Sequence, residues 1–226
     1  MRIAYTKKED AKFIAHLDLL RVFERALRRA AIPVACTEGF NPRPKISFGF
    51  ALAVGVEGEE EYVDIEIQGE PNVAEALGRL QEQMPHGINL LKGKLLAAGV
   101  KPLMAVINGA SYLIRLPRVD SVQPERLQEA VNLWLAREHV LYSRYTKKGP
   151  ADKDIRPWVK GMTGDVRSGE IVFELDIEMG NAGSVRPEEV MASLRDLEKL
   201  PLDLGGLQMK RTWVYVCFQG EKHTPF

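Results

Sequence analysis

The chain has 226 residues, 45% hydrophobic and 27% charged, with 31 basic side chains set against 31 acidic ones. That composition is too apolar for a disordered chain, and it allows one large core or two small ones. A net charge of zero excludes a uniform field for nucleic acid. The charges are nevertheless blocked: mainly basic through residue 47, mainly acidic over 48–84, and without a carboxylate over 85–119.

The first predicted element is a short strand, "MRIAYT". A helix follows in "HLDLLRVFERALRRAAI", where Leu17, Leu20, Phe23, Leu27 and Ala30 fall at helical spacing and Pro33 ends the run. "ISFGFALAV" alternates as a strand, with Ser47, Gly49, Ala51 and Ala53 forming a smooth face against which something should pack closely. "EYVDIEI" is the next strand. A helix over 72–83 and the strand "INLLKGKLLA" close the first half. The order is β-α-β-β-α-β, the ferredoxin-like pattern.

The second half reads the same way. "SYLIRL" is a strand, and 124–137 a helix with Leu127, Val131, Trp134 and Leu135 inward. "VLYSRYT" is a strand prolonged by an excursion through "KKGPADKDIRPWVKGM". "EIVFELDIEM" alternates, with Ile171, Phe173, Leu175 and Ile177 on one face. A helix over 187–197 and the strand "LQMKRTWVYVCF" follow. The expected fold is therefore α+β: two tandem ferredoxin-like units with antiparallel sheets, suggesting an internal duplication. The predicted division is a first unit over 1–98, a linker over 99–109, a second unit over 110–220 and a tail over 221–226.

Several chemistries are absent from the pattern. There is no phosphate-binding glycine loop and no dinucleotide fingerprint. His16, His86, His139 and His223 lack metal-ligand spacing, and Cys36 and Cys217 are the only cysteines, too few for an iron–sulfur centre or a disulfide framework. No metal or small-molecule cofactor is implied. "MRIAYTKKED" has no apolar signal core and no run approaches membrane-spanning length, so a cytoplasmic protein without a membrane partner is expected.

Four polar segments remain. On the first helix Arg21, Arg25 and Arg28 lie at three- and four-residue spacing, with Arg29 beside them, which describes either a solvated face or a phosphate-tracking surface. His16 stands at the helix start. It is the candidate general base or acid if the protein is an enzyme, and otherwise a structural residue buried and paired to backbone or Asp18. In "TEGFNPRPKISF", Pro42 and Pro44 fix their own φ angles and bias Asn41 and Arg43 toward extended backbone. A stiff arm carrying Arg43 and Lys45 has little entropy left to lose on gripping a phosphate or carboxylate. In the third segment Lys147, Lys148, Lys153, Arg156 and Lys160 are interleaved with Tyr145 and Trp158, a mixture that suits single-stranded nucleic acid. The fourth, "GNAGSVRPEEV", offers a candidate anion site at a helix start near Ser184 and Arg186, although Glu188 and Glu189 compete for the same positive end.

"HLDLLRVFERALRRA", "EGFNPRPKISF", "KKGPADKDIRPWV" and "NAGSVRPEEV" together resemble the bacterial radical SAM-linked protein family, a domain of unknown function. The resemblance covers nearly the whole chain, and the proline-rich loop is its most specific part. Members of that family are encoded beside, or fused to, a radical SAM protein, and their genes often neighbour those of an RNase E/G-type ribonuclease and of ribosomal proteins. The resemblance implies an accessory role near tRNA or rRNA metabolism with a radical SAM protein as partner, and it transfers no catalytic residue. The expected function is a non-catalytic protein that binds or presents RNA. Alternatives are a metal-free RNA-processing enzyme using His16, or a protein-only adaptor that docks through its smooth strand face.

Overall fold

A computed structural model describes residues 1–97, 99–146, 149–180 and 183–226, with the backbone alone described at Tyr145 and Thr146. The architecture is mixed α+β, with mostly antiparallel strands and five α-helices among the described residues. The chain divides into two compact units, one made of 1–108 with 211–226 and the other of 109–210.

The first unit begins with β1 (Arg2–Lys7), all of whose residues are buried. A 3-10 turn leads into α1 (His16–Arg29). Then come β2 (Ile46–Phe48), β3 (Glu57–Ile65), α2 (Val73–Gln81), β4 (Leu90–Lys94) and the one-turn α3 (Leu103–Val106). β1 lies between β3 and β4, antiparallel to both, with Ile3 opposite Val63 on one side and Gly93 on the other. β2 pairs antiparallel with the end of β3, Ile46 opposite Ile65 and Phe48 opposite Val63. The helices bury Leu19, Phe23, Ala26 and Leu27 of α1 and Ala76 and Leu80 of α2 in one core with Ile3, Val63 and Ile65. Each fully buried Leu, Ile, Val or Phe among them contributes about 1.5–3 kcal/mol. Leu17, expected inward, is exposed, and Leu19 is buried instead. The helix begins only at His16, and the row through Leu19, Phe23 and Ala26 faces the sheet, so Leu17 points away from it.

The second unit comprises β5 (Gly109–Pro117), α4 (Pro124–Leu135), β6 (Leu141–Thr146), β7 (Gly149–Asp154), β8 (Val159–Arg167), β9 (Glu170–Gly180), the two-residue β10 (Gly183–Ser184) and α5 (Pro187–Glu198). β9 is its spine. β5 runs antiparallel along one edge, Ile114 opposite Phe173, and β8 along the other, Val166 opposite Ile171. The expected inward face of β9 is buried in full at Ile171, Phe173, Leu175 and Ile177. Trp134 of α4 is fully buried and donates from its indole N–H to Ser193 Oγ of α5 at 3.0 Å.

Two expected strands are corrected. "VLYSRYT" does not join the unit's sheet: among the described residues β6 pairs with β7 alone, as a two-stranded sheet. The strand beside β9 is β8, taken from the end of the expected excursion. β8 buries Val159, Met162 and Gly164, whereas Leu141 of β6 is exposed. The expected strand over 46–54 stops at Phe48. Beyond it Gly49 lies against Ile107, whose Cδ1 would stand 3.1 Å from an added Cβ, so the chain itself covers that part of the smooth face.

β11 (Gln208–Phe218) returns the chain to the first unit from Arg211 onward, where it pairs with β3 and turns into β12 (Glu221–His223). The last residues, expected as a tail, are held down: the Pro225 carbonyl accepts from Arg2, and Phe226 meets Tyr62 edge-on at 5.4 Å.

Candidate nucleic-acid interface

The proline-rich loop forms a hydrogen-bonded finger. The Ala35 N–H donates to the Glu66 carbonyl at 2.8 Å, Lys45 N–H to Ala35 at 2.8 Å, and Thr37 N–H to Arg43 at 2.8 Å. Thr37 Oγ1 accepts from the Arg43 N–H at 3.1 Å, and Cys36 bridges to Pro44. Pro44 can sit in this ladder because its nitrogen is not needed as a donor. Gly39 turns the chain at φ +122°, a value that disfavours a side chain. The apex places Phe40 wholly in solvent, beside exposed Asn41, Pro42 and Arg43.

Phe40 was not singled out from the sequence. Its signal was present, an aromatic between glycine and Asn-Pro with no alternating apolar neighbour, but an isolated Phe reads as a core residue until the turn around it is known. Arg43 is exposed and its guanidinium has no partner among the described residues, whereas Lys45 is ion-paired with Glu66 at 3.0 Å. At the base of the finger lies a groove of about 690 Å³ lined by Thr37, Pro44, Lys45, Ser47, Glu66 and Pro102 among others.

On α1 the four arginines are all exposed but differ in their commitments. Arg21 is paired with Asp18 at 2.7 Å, and Arg29 donates to Gln83 Oε1 at 3.0 Å. Arg25 and Arg28 have no partner among the described residues. His16 is exposed rather than buried. Its ring stands edge-on to Phe48 at 5.4 Å, and neither Asp18 nor the backbone holds it. It lines a cavity of only about 10 Å³ with Lys7 and Glu61, about the size of one water.

The charged residues around that cavity were not anticipated, because buried charge carries no periodic signal. Arg211, almost wholly buried, donates to Glu61 Oε1 at 2.8 Å and to the Phe50 carbonyl at 2.8 Å. Lys7, also buried, donates to the carbonyls of Ile14 at 2.7 Å and Lys12 at 3.2 Å. Burial pulls its pKa below the usual lysine value despite the opposing influence of Glu61. Arg2 clamps Asp64 with two hydrogen bonds, 2.7 and 2.8 Å.

The basic segment of the second unit behaves differently. Lys147 and Lys148 lie outside the described residues, as does the side chain of Tyr145. Arg156 donates to the Leu135 carbonyl at 3.1 and 2.8 Å and to that of Val159 at 2.8 Å, and it lies over the Trp134 ring. It is a structural clamp, not a free cation. Lys153 bonds the Ser184 carbonyl and lies 4.7 Å over Trp158, and Lys160 is paired with Glu178.

The candidate anion site at Ser184 and Arg186 is already filled by a carboxylate. Glu189 Oε2 accepts from the Arg186 N–H at 3.0 Å and is paired with Arg144, which offsets the positive helix end. The Ser184 hydroxyl bonds the Val185 carbonyl at 3.3 Å. Elsewhere in the unit His139 Nδ1 lies 2.7 Å from Asp154 Oδ2, and that hydrogen bond raises the histidine pKa. Among the described residues no group of three His, Cys, Asp or Glu is placed to hold a metal, and no helix is long and apolar enough to cross a membrane.

The fold and this surface define a mixed α+β protein whose first unit projects a hydrogen-bonded finger with a cation and an aromatic at its apex. The chain belongs to the family described as "Uncharacterized protein conserved in bacteria (DUF2344)", whose model matches residues 1–187. No curated protein matches it. Among solved structures it is similar to a chain of "Crystal Structure of a Cbf5-Nop10-Gar1 Complex", at 10% identity and a TM-score of 0.52. That match covers 94% of this chain and 48% of the other, so this chain spans about half the length of its structural neighbour. A second match, "Crystal Structure of an Unknown Protein from Galdieria sulphuraria", covers 92% of this chain and 94% of that one, at 10% identity and a TM-score of 0.25.

Proposed function

We propose that the protein is a non-catalytic accessory that binds RNA by its phosphates and presents it to a radical SAM enzyme. The observation that carries this reading is the freedom of Arg25, Arg28 and Arg43. All three are exposed in one unit, and none is spent on an internal carboxylate or carbonyl among the described residues. Exposed guanidinium groups without internal partners are the groups phosphate recruits, and the finger's hydrogen bonds lower the backbone part of the ordering cost at Arg43. The radical SAM partner is proposed on the sequence resemblance. The fold likeness to a chain from a complex fits a protein that works within an assembly. A cytoplasmic setting accords with two free, exposed cysteines.

The same reading takes the fold as two tandem ferredoxin-like units joined over 99–109. Its support is the order β4-β1-β3-β2 in the first unit and the placing of β9 between β5 and β8 in the second, with the β6–β7 hairpin inserted.

The test is RNA affinity measured against salt. For single strands the logarithm of the binding constant falls with a slope of about −0.7 per phosphate neutralised. The combined variant Arg25→Ala/Arg28→Ala/Arg43→Ala is expected to weaken binding of every RNA sequence and to flatten the slope by about 2. An unchanged slope in a normally folded variant overturns the reading. Coelution of the purified protein with the radical SAM protein encoded beside it tests the partner, and independent elution at micromolar concentration removes it.

A further inference from the structure

The finger and the groove beneath it share residues. Thr37, Pro44 and Lys45 form the finger's base and also line the groove. Phe40 is three residues from Thr37, a span of about 10 Å at most, so a ligand touching the apex can reach the groove within one or two units of its own length. The two ends offer different chemistry. The apex has a free aromatic face and, three residues on, a free guanidinium. The groove has a volume typical of small-molecule sites and presents hydroxyls from Thr37 and Ser47 and the exposed carboxylate of Glu66, beside apolar Pro102. Lys45 answers the Glu66 charge, and Arg2 answers that of Asp64, the other carboxylate lining the groove, so the groove does not repel an anionic chain strongly.

An exposed aromatic face is costly to leave in water and is fitted to stack on another π-system. A cation near it favours a partner carrying both a flat ring and a negative charge. Acceptors such as Glu66 favour a partner that donates from hydroxyl or amino groups. Single-stranded RNA carries all three: bases, phosphates and 2′-hydroxyls.

We propose that the finger and groove form a nucleotide-reading site for single-stranded RNA. One unpaired base stacks on Phe40, Arg43 takes the adjoining phosphate, and the next nucleoside enters the groove, where Glu66 accepts from its 2′-hydroxyl. This rests on the phosphate-binding reading above and adds strandedness and sugar identity to it. A duplex cannot supply the stack, because its bases are already paired and stacked. DNA can stack but has no 2′-hydroxyl to donate.

The experiment compares a mixed-sequence single-stranded RNA 12-mer with its DNA counterpart and its RNA duplex, by fluorescence anisotropy at fixed salt. The wild-type protein is expected to bind the single-stranded RNA at least tenfold tighter than either. Phe40→Ala, a change at a fully exposed site, is expected to weaken single-stranded binding about tenfold with the salt slope unchanged, and Phe40→Trp to retain it. Glu66→Ala, which removes the acceptor at an exposed position, is expected to abolish the RNA-over-DNA preference without weakening DNA binding. Binding that depends on salt but is indifferent to Phe40, strand and sugar overturns this site and leaves the phosphate reading standing. No binding of any nucleic acid overturns both, and leaves Phe40 as a contact for protein.

Discussion

Two basic segments of the molecule look alike on paper and differ in three dimensions. In the first unit α1 and the finger hold Arg25, Arg28 and Arg43 in solvent without partners among the described residues. In the second unit the segment running into β8 holds Arg156, Lys153 and Lys160, and each is occupied: Arg156 on two backbone carbonyls, Lys153 on the Ser184 carbonyl, and Lys160 on Glu178. Composition near aromatics and prolines therefore does not identify a binding surface. What decides is whether the fold offers each cation a partner of its own. Arg156 serves the fold because the end of α4 leaves carbonyls such as Leu135 without helical donors, and a guanidinium can satisfy them.

The contrast can be broken most sharply where a cation is both buried and paired. Arg211→Ala would strand the Glu61 carboxylate in the interior, and removing one partner of such a pair costs about 3–5 kcal/mol. Urea unfolding should register that loss, and a change within error would mean that water reaches Glu61. Next in size, Arg156→Ala should cost about 3 kcal/mol through carbonyls left unsatisfied, with RNA affinity untouched. Arg25→Ala/Arg28→Ala should do the reverse, lowering affinity while the melting temperature stays put. If the two variants exchange phenotypes, the assignment of free and committed cations is wrong.

The smallest effect concerns His139 and Asp154. The hydrogen bond that His139 donates to Asp154 lifts the His139 pKa above its ordinary 6.5. Asp154 is held below its ordinary 3.8: slight desolvation works against this, but hydrogen bonds from His139 and from the Val140 and Arg156 N–H groups outweigh it. The histidine's contribution to stability is full below pH 6.5 and fades as pH rises through the raised value. The aspartate's contribution is present above pH 3.8 and fades as pH falls through the lowered value. The difference in melting temperature between wild type and His139→Gln should therefore be greatest near pH 5 and should shrink above neutrality. A difference that grows with pH contradicts the pairing.

For His16 the sequence leaves two readings open, a structural residue if buried and a catalytic one if open to solvent. Burial was anticipated for a structural histidine, yet the ring is exposed and leans on Phe48, a residue 32 positions further along the chain. Local sequence contains nothing that says where Phe48 will be. At Ser184–Arg186 the helix end is already occupied, and here the cause is local. Its competitor, Glu189, was visible three residues downstream, and the capping interaction that fills the helix end is local.

Short-range pattern was sufficient for α1, α2, α4 and α5 and for the alternating face of β9, because helical and strand periodicities expose their inward sides within a few residues. The proline-rich loop shows its backbone restriction locally as well, since Pro42 and Pro44 restrict their own backbones and those of their predecessors. Long-range contacts alone decided the rest. β8 rather than β6 joined β9 because pairing is chosen by which run can bury its apolar side against a distant strand. Arg211 found Glu61 across 150 residues of chain and Arg156 found Leu135 across 21, while Arg25, Arg28 and Arg43 found no partner among the described residues. A charge is committed or free according to what the folded chain brings within hydrogen-bonding reach, and that distance is not written in the order of the residues.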